Sequence, residues 1–382
     1  MVENGQAGSS GMAGSAGSSQ DAGQPDSKPK EAYWANLNGN PPEARDIHSA
    51  VWTGTQMIVW GGRQWNESTL KYSYLNSGGI YDLGKDDWLF MNNSQAPAAR
   101  VLNSAIWTGD KMVIWSGINN SGALGDGAAY DPTVNEWQTI STQNSPAPKY
   151  FHATVWTGTH MIVTGGLTSD YKPTRSGGIY NPVTDTWGPM AEAPEACSEL
   201  AAIWTGSLML TFGGYSDESK TYCGNYTYDP VTDKWSAMPN SNAPSARAWP
   251  IAIWTGEEMI TWGGYLKTDP LKALAEGGIY NPVDDAWESM NTLGSPMARF
   301  NQTAVWTGNR MIVWGGSDLG DYETDSGGEY DPAAHKWTKT GDTAPPNRIF
   351  HTALWINPGM IVWGGFTGIR DTASGGIYYP GD

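Results

Sequence analysis

Six of the 22 lysine and arginine residues in this 382-residue chain stand at one recurring place. Arg45, Arg100, Lys149, Arg247, Arg299 and Arg348 each lie seven residues before a tryptophan that opens a short repeated segment, and Cys197 takes the remaining place. Guanidinium groups gathered at one mouth grip carboxylate, phosphate or sulfate in bidentate fashion. The set is therefore read as a funnel for an acidic peptide, protein or glycan. The plainer reading of the same residues is pairing with loop carboxylates or backbone carbonyls. His48, His152 and His351 share a second position, four before the tryptophan, where the other copies carry Asn103, Leu200, Pro250 and Gln302. Converging imidazoles suit a transition metal, but histidines on units far apart around a ring suit structural hydrogen bonds, and no metal or other cofactor is expected. The two cysteines, Cys197 and Cys223, are 26 residues apart. In an exported protein they form one disulfide, which stabilises by roughly 3 kcal/mol. Ser-His-Asp order, G-x-S-x-G, H-E-x-x-H, a phosphate loop and C-x-x-C are all missing from the chain. No catalytic residue is assigned.

The elements that position these residues follow from the repeat. A segment of the type W-T-G-x-x-M-I-V-W-G-G begins at Trp52, Trp107, Trp156, Trp204, Trp254, Trp306 and Trp355, in steps of 55, 49, 48, 50, 52 and 49 residues. An alternating stretch precedes each tryptophan and predicts a half-buried strand. The unbroken apolar run after the turn predicts a strand buried on both faces. A diglycine such as Gly315-Gly316 ends that run; a tyrosine such as Tyr330 marks a third strand, and a tryptophan seven residues later, Trp337, marks a fourth. Four antiparallel strands repeated radially make a propeller blade. Diglycine, spaced tyrosine and spaced tryptophan resemble the Kelch consensus over about residues 33–380. The resemblance implies an all-β, seven-bladed β-propeller of Kelch repeats occupying residues 33–382. The last copy stops at Tyr378 without a fourth strand, and Trp34 stands 11 residues before Arg45 as Trp337 stands 11 before Arg348. Residues 33–38 are thus expected to complete the last blade and close the ring.

Nineteen of the 21 tryptophans fall on repeat positions, so the aromatic richness is mainly core. The remaining two, Trp65 and Trp249, join Tyr171, Tyr215, Tyr265 and Tyr322 of the loops as candidate ligand-contacting aromatics. Variable loops on a repeated scaffold are where binding resides.

Residues 1–32 are rich in Gly, Ser, Ala and Gln and read as a flexible tether. They resemble the mature start of a bacterial surface lipoprotein, with a lipid tether as the one route to a membrane; the alternative is a cytoplasmic protein with an untidy N-terminus. The net charge of −17 argues against nucleic acid. The expectation is an exported, monomeric binding module at the cell surface, in the periplasm or outside the cell. The alternatives are a carbohydrate-active propeller enzyme and a purely structural surface protein. The enzyme would be an acidic-sugar isomerase like the sialic-acid mutarotases, which use an arginine-lined funnel, or a copper oxidase like galactose oxidase. The copper enzyme's cysteine–tyrosine pair has no counterpart here.

Overall fold

Each stretch predicted as a strand is one in the computed structural model of the chain, which describes residues 31–268, 270–318, 323–341 and 344–381. In the sixth repeat the strands are Thr303–Trp306, Met311–Trp314, Gly327–Asp331 and Lys336–Lys339, paired antiparallel in that order. Seven such sheets form, and the first strand of each adjoins the first strands of its neighbours around a central axis. The four-residue run that begins at the methionine of the second strand is fully buried in every blade, as its apolar character requires. The chain is an all-β, seven-bladed propeller, and no helix of the described residues is long and apolar enough to cross a membrane. Of the expected tether, residues 1–30 lie outside the described residues.

The ring closes with its two ends in one sheet. Tyr33–Asn36 pairs with Gly375–Tyr379, placing Trp34 opposite Tyr378, and this completes blade 7. Trp34 then repeats the packing of five other outer-strand tryptophans. It lies on its own blade's tyrosine, Tyr378, at 5.1 Å, and on the second-strand tryptophan of the preceding blade, Trp314, at 5.1 Å. Trp88 on Trp363, Trp137 on Trp60, Trp187 on Trp115 and Trp337 on Trp262 make the same contact at 5.0–5.6 Å, and Trp287 makes it on Phe212. At the seam between blades 3 and 4 the second-strand residue is Thr164, which has no ring to offer.

A polar latch runs outside this aromatic layer. The third-strand tyrosine donates its hydroxyl to an acceptor five residues on, as Tyr180 does to Asp185 (2.8 Å) and Tyr228 to Asp233 (2.7 Å). The same acceptor takes a backbone N–H from the preceding blade: Ser141 donates to Asp185 and Ala191 to Asp233, each at 2.7 Å. Asn38 donates to Asp86 in this way (3.2 Å), so the latch also crosses the closure between blades 7 and 1.

A chain beginning at Arg45 therefore loses a strand, Trp34 and the Asn38 latch together, and it is expected to melt well below the full chain. Trp34→Ala alone is expected to cost about 2–3 kcal/mol, under the range for a fully buried aromatic because this ring is half-buried. Urea unfolding of both proteins checks this; unchanged midpoints would mean that the N-terminal strand does not carry the closure.

Candidate functional site

The cationic residues do not line the axis. Arg45, Arg100, Lys149, Arg247, Arg299 and Arg348 are 0–1 % exposed, and their side chains run into their own blades. Arg348 shows the pattern. Its Nε donates to Pro346 O (2.9 Å), its Nη1 to Gly364 O (3.0 Å) and Ser374 O (2.8 Å), and its Nη2 to Ser374 Oγ (3.0 Å). Arg45, Arg247 and Arg299 make the matching set, and Arg100 its core of three carbonyl bonds. Burial lowers the guanidinium pKa of Arg45, Arg247, Arg299 and Arg348 to about 10, so each keeps its proton at neutral pH. The carbonyl of each clamp residue meanwhile accepts the N–H of the second diglycine residue of the preceding blade. Gly316 donates to Arg348 O (3.0 Å), and Gly365 donates to Arg45 O (2.8 Å) across the closure. The expected arginine funnel is corrected accordingly. These cations are internal clamps, because the carbonyls that end the second strand and precede the third converge on them.

The three histidines are likewise held between blades. His48 Nε2 meets Thr352 Oγ1 (2.9 Å), His351 Nε2 meets Thr303 Oγ1 (2.8 Å), and His152 meets Ser104, each partner lying on the inner strand of the preceding blade. Each ring stands edge-on to the preceding blade's second-strand tryptophan at 5.0–5.4 Å. Burial drives all three below the usual histidine range, His152 to about 3, so they are neutral. They pair with hydroxyls at separate seams rather than with one another. At the His48 and His351 seams the first diglycine residue is glycine, whereas Ser116 takes the place at the His152 seam with φ of 62°. Gly315 and Gly364 have φ of +68°, and a Cβ on Gly315 would stand 2.5 Å from His351 Cε1.

The axis is lined by the residues between clamp and histidine positions. Ile47, Leu102, Phe151, Glu199, Trp249, Asn301 and Phe350 all have positive φ, between 50° and 59°. A bulky residue in this region is uncommon. The geometry persists because it stitches the ring: Ile47 N–H donates to Phe350 O, Glu199 to Phe151 O and Trp249 to Glu199 O. It also gathers side chains of different blades at one mouth. Trp249 lies 5.5 Å from Phe151 and 6.0 Å from Phe350, across three blades. Beneath this collar is a cavity of about 100 Å³, lined by residues of the inner strands and by His48, Asn103, His152 and Gln302. Gln302 is 5 % exposed, and among the described residues neither polar atom of its amide has a partner. The cause is legible: Ile251 stands where the histidine seams carry Ser or Thr.

Two charged clusters flank the mouth. Asp46 takes Arg63 in a two-point pair (2.9 and 3.2 Å), and Arg63 stacks over Tyr72 at 3.8 Å. Burial raises Asp46 to about 6 despite that pair. Glu199 meets Lys267 Nζ (3.2 Å) and Tyr265 OH (3.3 Å); burial raises its pKa, opposed by Lys267.

Of the proposed loop aromatics, Trp249 is at the collar itself. Tyr265 packs 6.4 Å from it. Trp65 packs on Tyr72 and gives its backbone N–H to Asp371. Tyr171 is 71 % exposed at a loop tip. Tyr215 is corrected: it is 8 % exposed and lies beneath the Lys267 amine (4.2 Å), which covers it. Tyr322 lies outside the described residues. Phe151 and Phe350 were not singled out in the sequence. The signal was there, since they share Trp249's place five residues before the repeat tryptophan.

A sequence model of the KLHDC2/KLHL20/DRC7 Kelch-repeats domain matches residues 26–193 and again residues 188–365. The chain belongs to the Kelch-repeat family. A comparison with curated proteins returned no match. Kelch propellers generally mediate protein interactions.

One seam of this Kelch propeller departs from the rest. Cys197 replaces the clamp arginine of blade 4 and is bonded to Cys223, as the two lone cysteines suggest, with the Cα atoms 6.3 Å apart. Cys223 stands five residues before Tyr228, one residue earlier than Ser374 stands before Tyr378, so the disulfide ties the clamp position to the segment leading into the third strand, beside the place that Arg348 bonds. On the facing blade, Thr164 replaces the tryptophan over which Arg45 and Arg348 place their guanidinium groups at Trp363 and Trp314.

Arg348→Met leaves three carbonyls without that donor and is expected to cost about 3–5 kcal/mol in urea unfolding; a loss under about 1 kcal/mol would contradict the clamp. Lys149 supports a prediction of opposite sign. Its ammonium bonds only Ser176 O and Oγ, and burial lowers its pKa to about 7 from 10.5. Between those values the unfolded chain holds a proton that the folded chain has released, so stability rises with pH through that window. Lys149→Arg is expected to raise stability near pH 7 by about 1 kcal/mol and to flatten that rise; melts at pH 7 and pH 9.5 check both.

Proposed function

We propose that this Kelch propeller is a protein-interaction module that receives an uncharged, apolar segment of a partner at the collar of the central cavity. One observation carries the reading. Phe151, Trp249 and Phe350, with Ile47 and Leu102, surround an opening of about 100 Å³ that holds the unpartnered amide of Gln302. Aromatic side chains at the centre of a contact surface supply most of its binding energy. An amide offers one donor group and one acceptor, which matches a peptide backbone.

An acidic ligand, favoured by the basic residues in the sequence, is disfavoured by their burial. The loops that follow the diglycines carry Asp170, Asp217, Glu218 and Asp325, which repel acidic peptides and glycans. The disulfide supports an oxidising compartment as the place of work. Alkylation of the protein as isolated, without reductant, is expected to label neither cysteine; two labelled thiols would contradict that placement.

The binding test is a peptide array run beside a glycan array. Uncharged apolar peptides are expected to bind, and Trp249→Ala with Phe350→Ala is expected to weaken them at least tenfold, about 1.4 kcal/mol. Hits confined to acidic peptides or to glycans, or binding unchanged in the double variant, would overturn the reading.

A further inference from the structure

The seam between blades 3 and 4 holds chemistry that the interaction surface does not use. Every other blade seats a cation where blade 4 has Cys197: a guanidinium in five, an ammonium in one. The seat is built for positive charge, because the first glycine's carbonyl and the carbonyl before the third strand converge on it, as Gly364 O and Ser374 O do on Arg348. Gly213 and Gly224 hold those sequence positions in blade 4; Gly213 has the same φ of +68° as Gly364, while its N–H goes to Asn225 Oδ1 (3.1 Å). They line a small cavity of about 20 Å³ together with Thr164, Tyr226 and Trp235. That volume suits one water or one ion. The Thr164 hydroxyl at this cavity is buried and, among the described residues, without a hydrogen-bond partner.

A third ligand is already in place. The sulfurs of Cys197 and Cys223 and a carboxylate oxygen of Glu195 lie within 4.8 Å of one another. Glu195 is held there by Gly224 N–H and by Tyr226 OH, each at 2.9 Å. The cysteine Cα separation of 6.3 Å leaves room for both sulfurs to serve one ion; two sulfurs on one zinc stand roughly 3.8 Å apart, given Zn–S bonds of about 2.3 Å.

We propose that blade 4 carries a redox-gated metal site, in which Cys197, Cys223 and Glu195 bind a thiophilic divalent cation of the zinc type once the disulfide is reduced. The steps balance. A dithiol or phosphine reductant supplies two electrons and, with two protons, converts the disulfide to two thiols while it is itself oxidised. The cation then displaces both thiol protons to solvent and is held by two thiolates and a carboxylate. Water fills the fourth position, where the Thr164 hydroxyl gains the partner it lacks. A two-electron oxidant of the disulfide class, itself reduced to two thiols, re-forms the Cys197–Cys223 bond and releases the cation, so each state closes the blade differently.

The test uses the full chain, reduced with a phosphine, and Zn²⁺ itself, with a chromophoric chelator reporting free metal. One zinc per chain is expected in the reduced protein and none in the oxidised protein. Cys197→Ser should abolish binding, and Glu195→Gln, which keeps both thiols, should weaken it at least tenfold. Zn²⁺ should also raise the melting temperature of the reduced wild type, and Co²⁺ in its place should give a thiolate charge-transfer band. Reduced protein that binds no more zinc than oxidised protein, or that melts at the same temperature with and without it, overturns the site. Zinc bound equally by Glu195→Gln removes the carboxylate from it and contradicts the proposal as stated.

Discussion

In six of the seven blades one residue faces two ways, and the ring depends on it. Its side chain donates to carbonyls inside its own blade, while its own carbonyl accepts the second-glycine N–H of the blade before. The first set of bonds fixes where the second strand ends and the third begins. The second fixes where the next blade sits. A charged donor buried among carbonyls is costly to leave unsatisfied, so the clamp tolerates little displacement. Neighbouring features follow from it. The diglycine must take positive φ for its N–H to reach the next blade, and that opens the space which the histidine fills. The residues between clamp and histidine are then held in the left-handed region with their side chains on the axis.

That arrangement separates framework from function. The clamp cations, the histidines and the third-strand tyrosines each meet a partner in their own or an adjoining blade, and Trp60, Trp314 and Trp363 of the second strands donate to backbone carbonyls. The collar residues differ from blade to blade in size and polarity while sharing one backbone geometry, so the mouth can be re-specified without disturbing the ring. Stability and recognition reside in adjacent residues that point opposite ways. The seam between blades 3 and 4 is the one place where the framework itself changed. Arginine and tryptophan are both missing there, on facing blades, and a disulfide spans the gap.

Much of the fold was legible because it is periodic. Alternation before each tryptophan and the unbroken run after it distinguish the two inner strands, and a missing tryptophan at the C-terminus pointed to Trp34 at the other end. The pairing of Cys197 with Cys223 was legible from their number. The role of the arginines was not. Spacing shows that they share a position, but not that the carbonyls at the end of the second strand and before the third converge on them. Ile47, Leu102, Phe151 and Trp249 give no hint of positive φ, because residue type announces that conformation only for glycine and, weakly, asparagine or aspartate. Phe151 and Phe350 were hidden for the same reason. Each looks like an isolated loop residue until the ring brings it beside Trp249.

The most direct test of the two-way clamp is native-state hydrogen exchange at the second-glycine amides of Gly62, Gly117, Gly166, Gly214, Gly264, Gly316 and Gly365. If the clamp carbonyls bind the blades into one cooperative ring, all seven exchange only through global unfolding, with protection that matches the denaturant-derived stability. Exchange of the Gly365 amide through a local opening, well ahead of the other six, would show that the ring closes without this bond and would contradict the account.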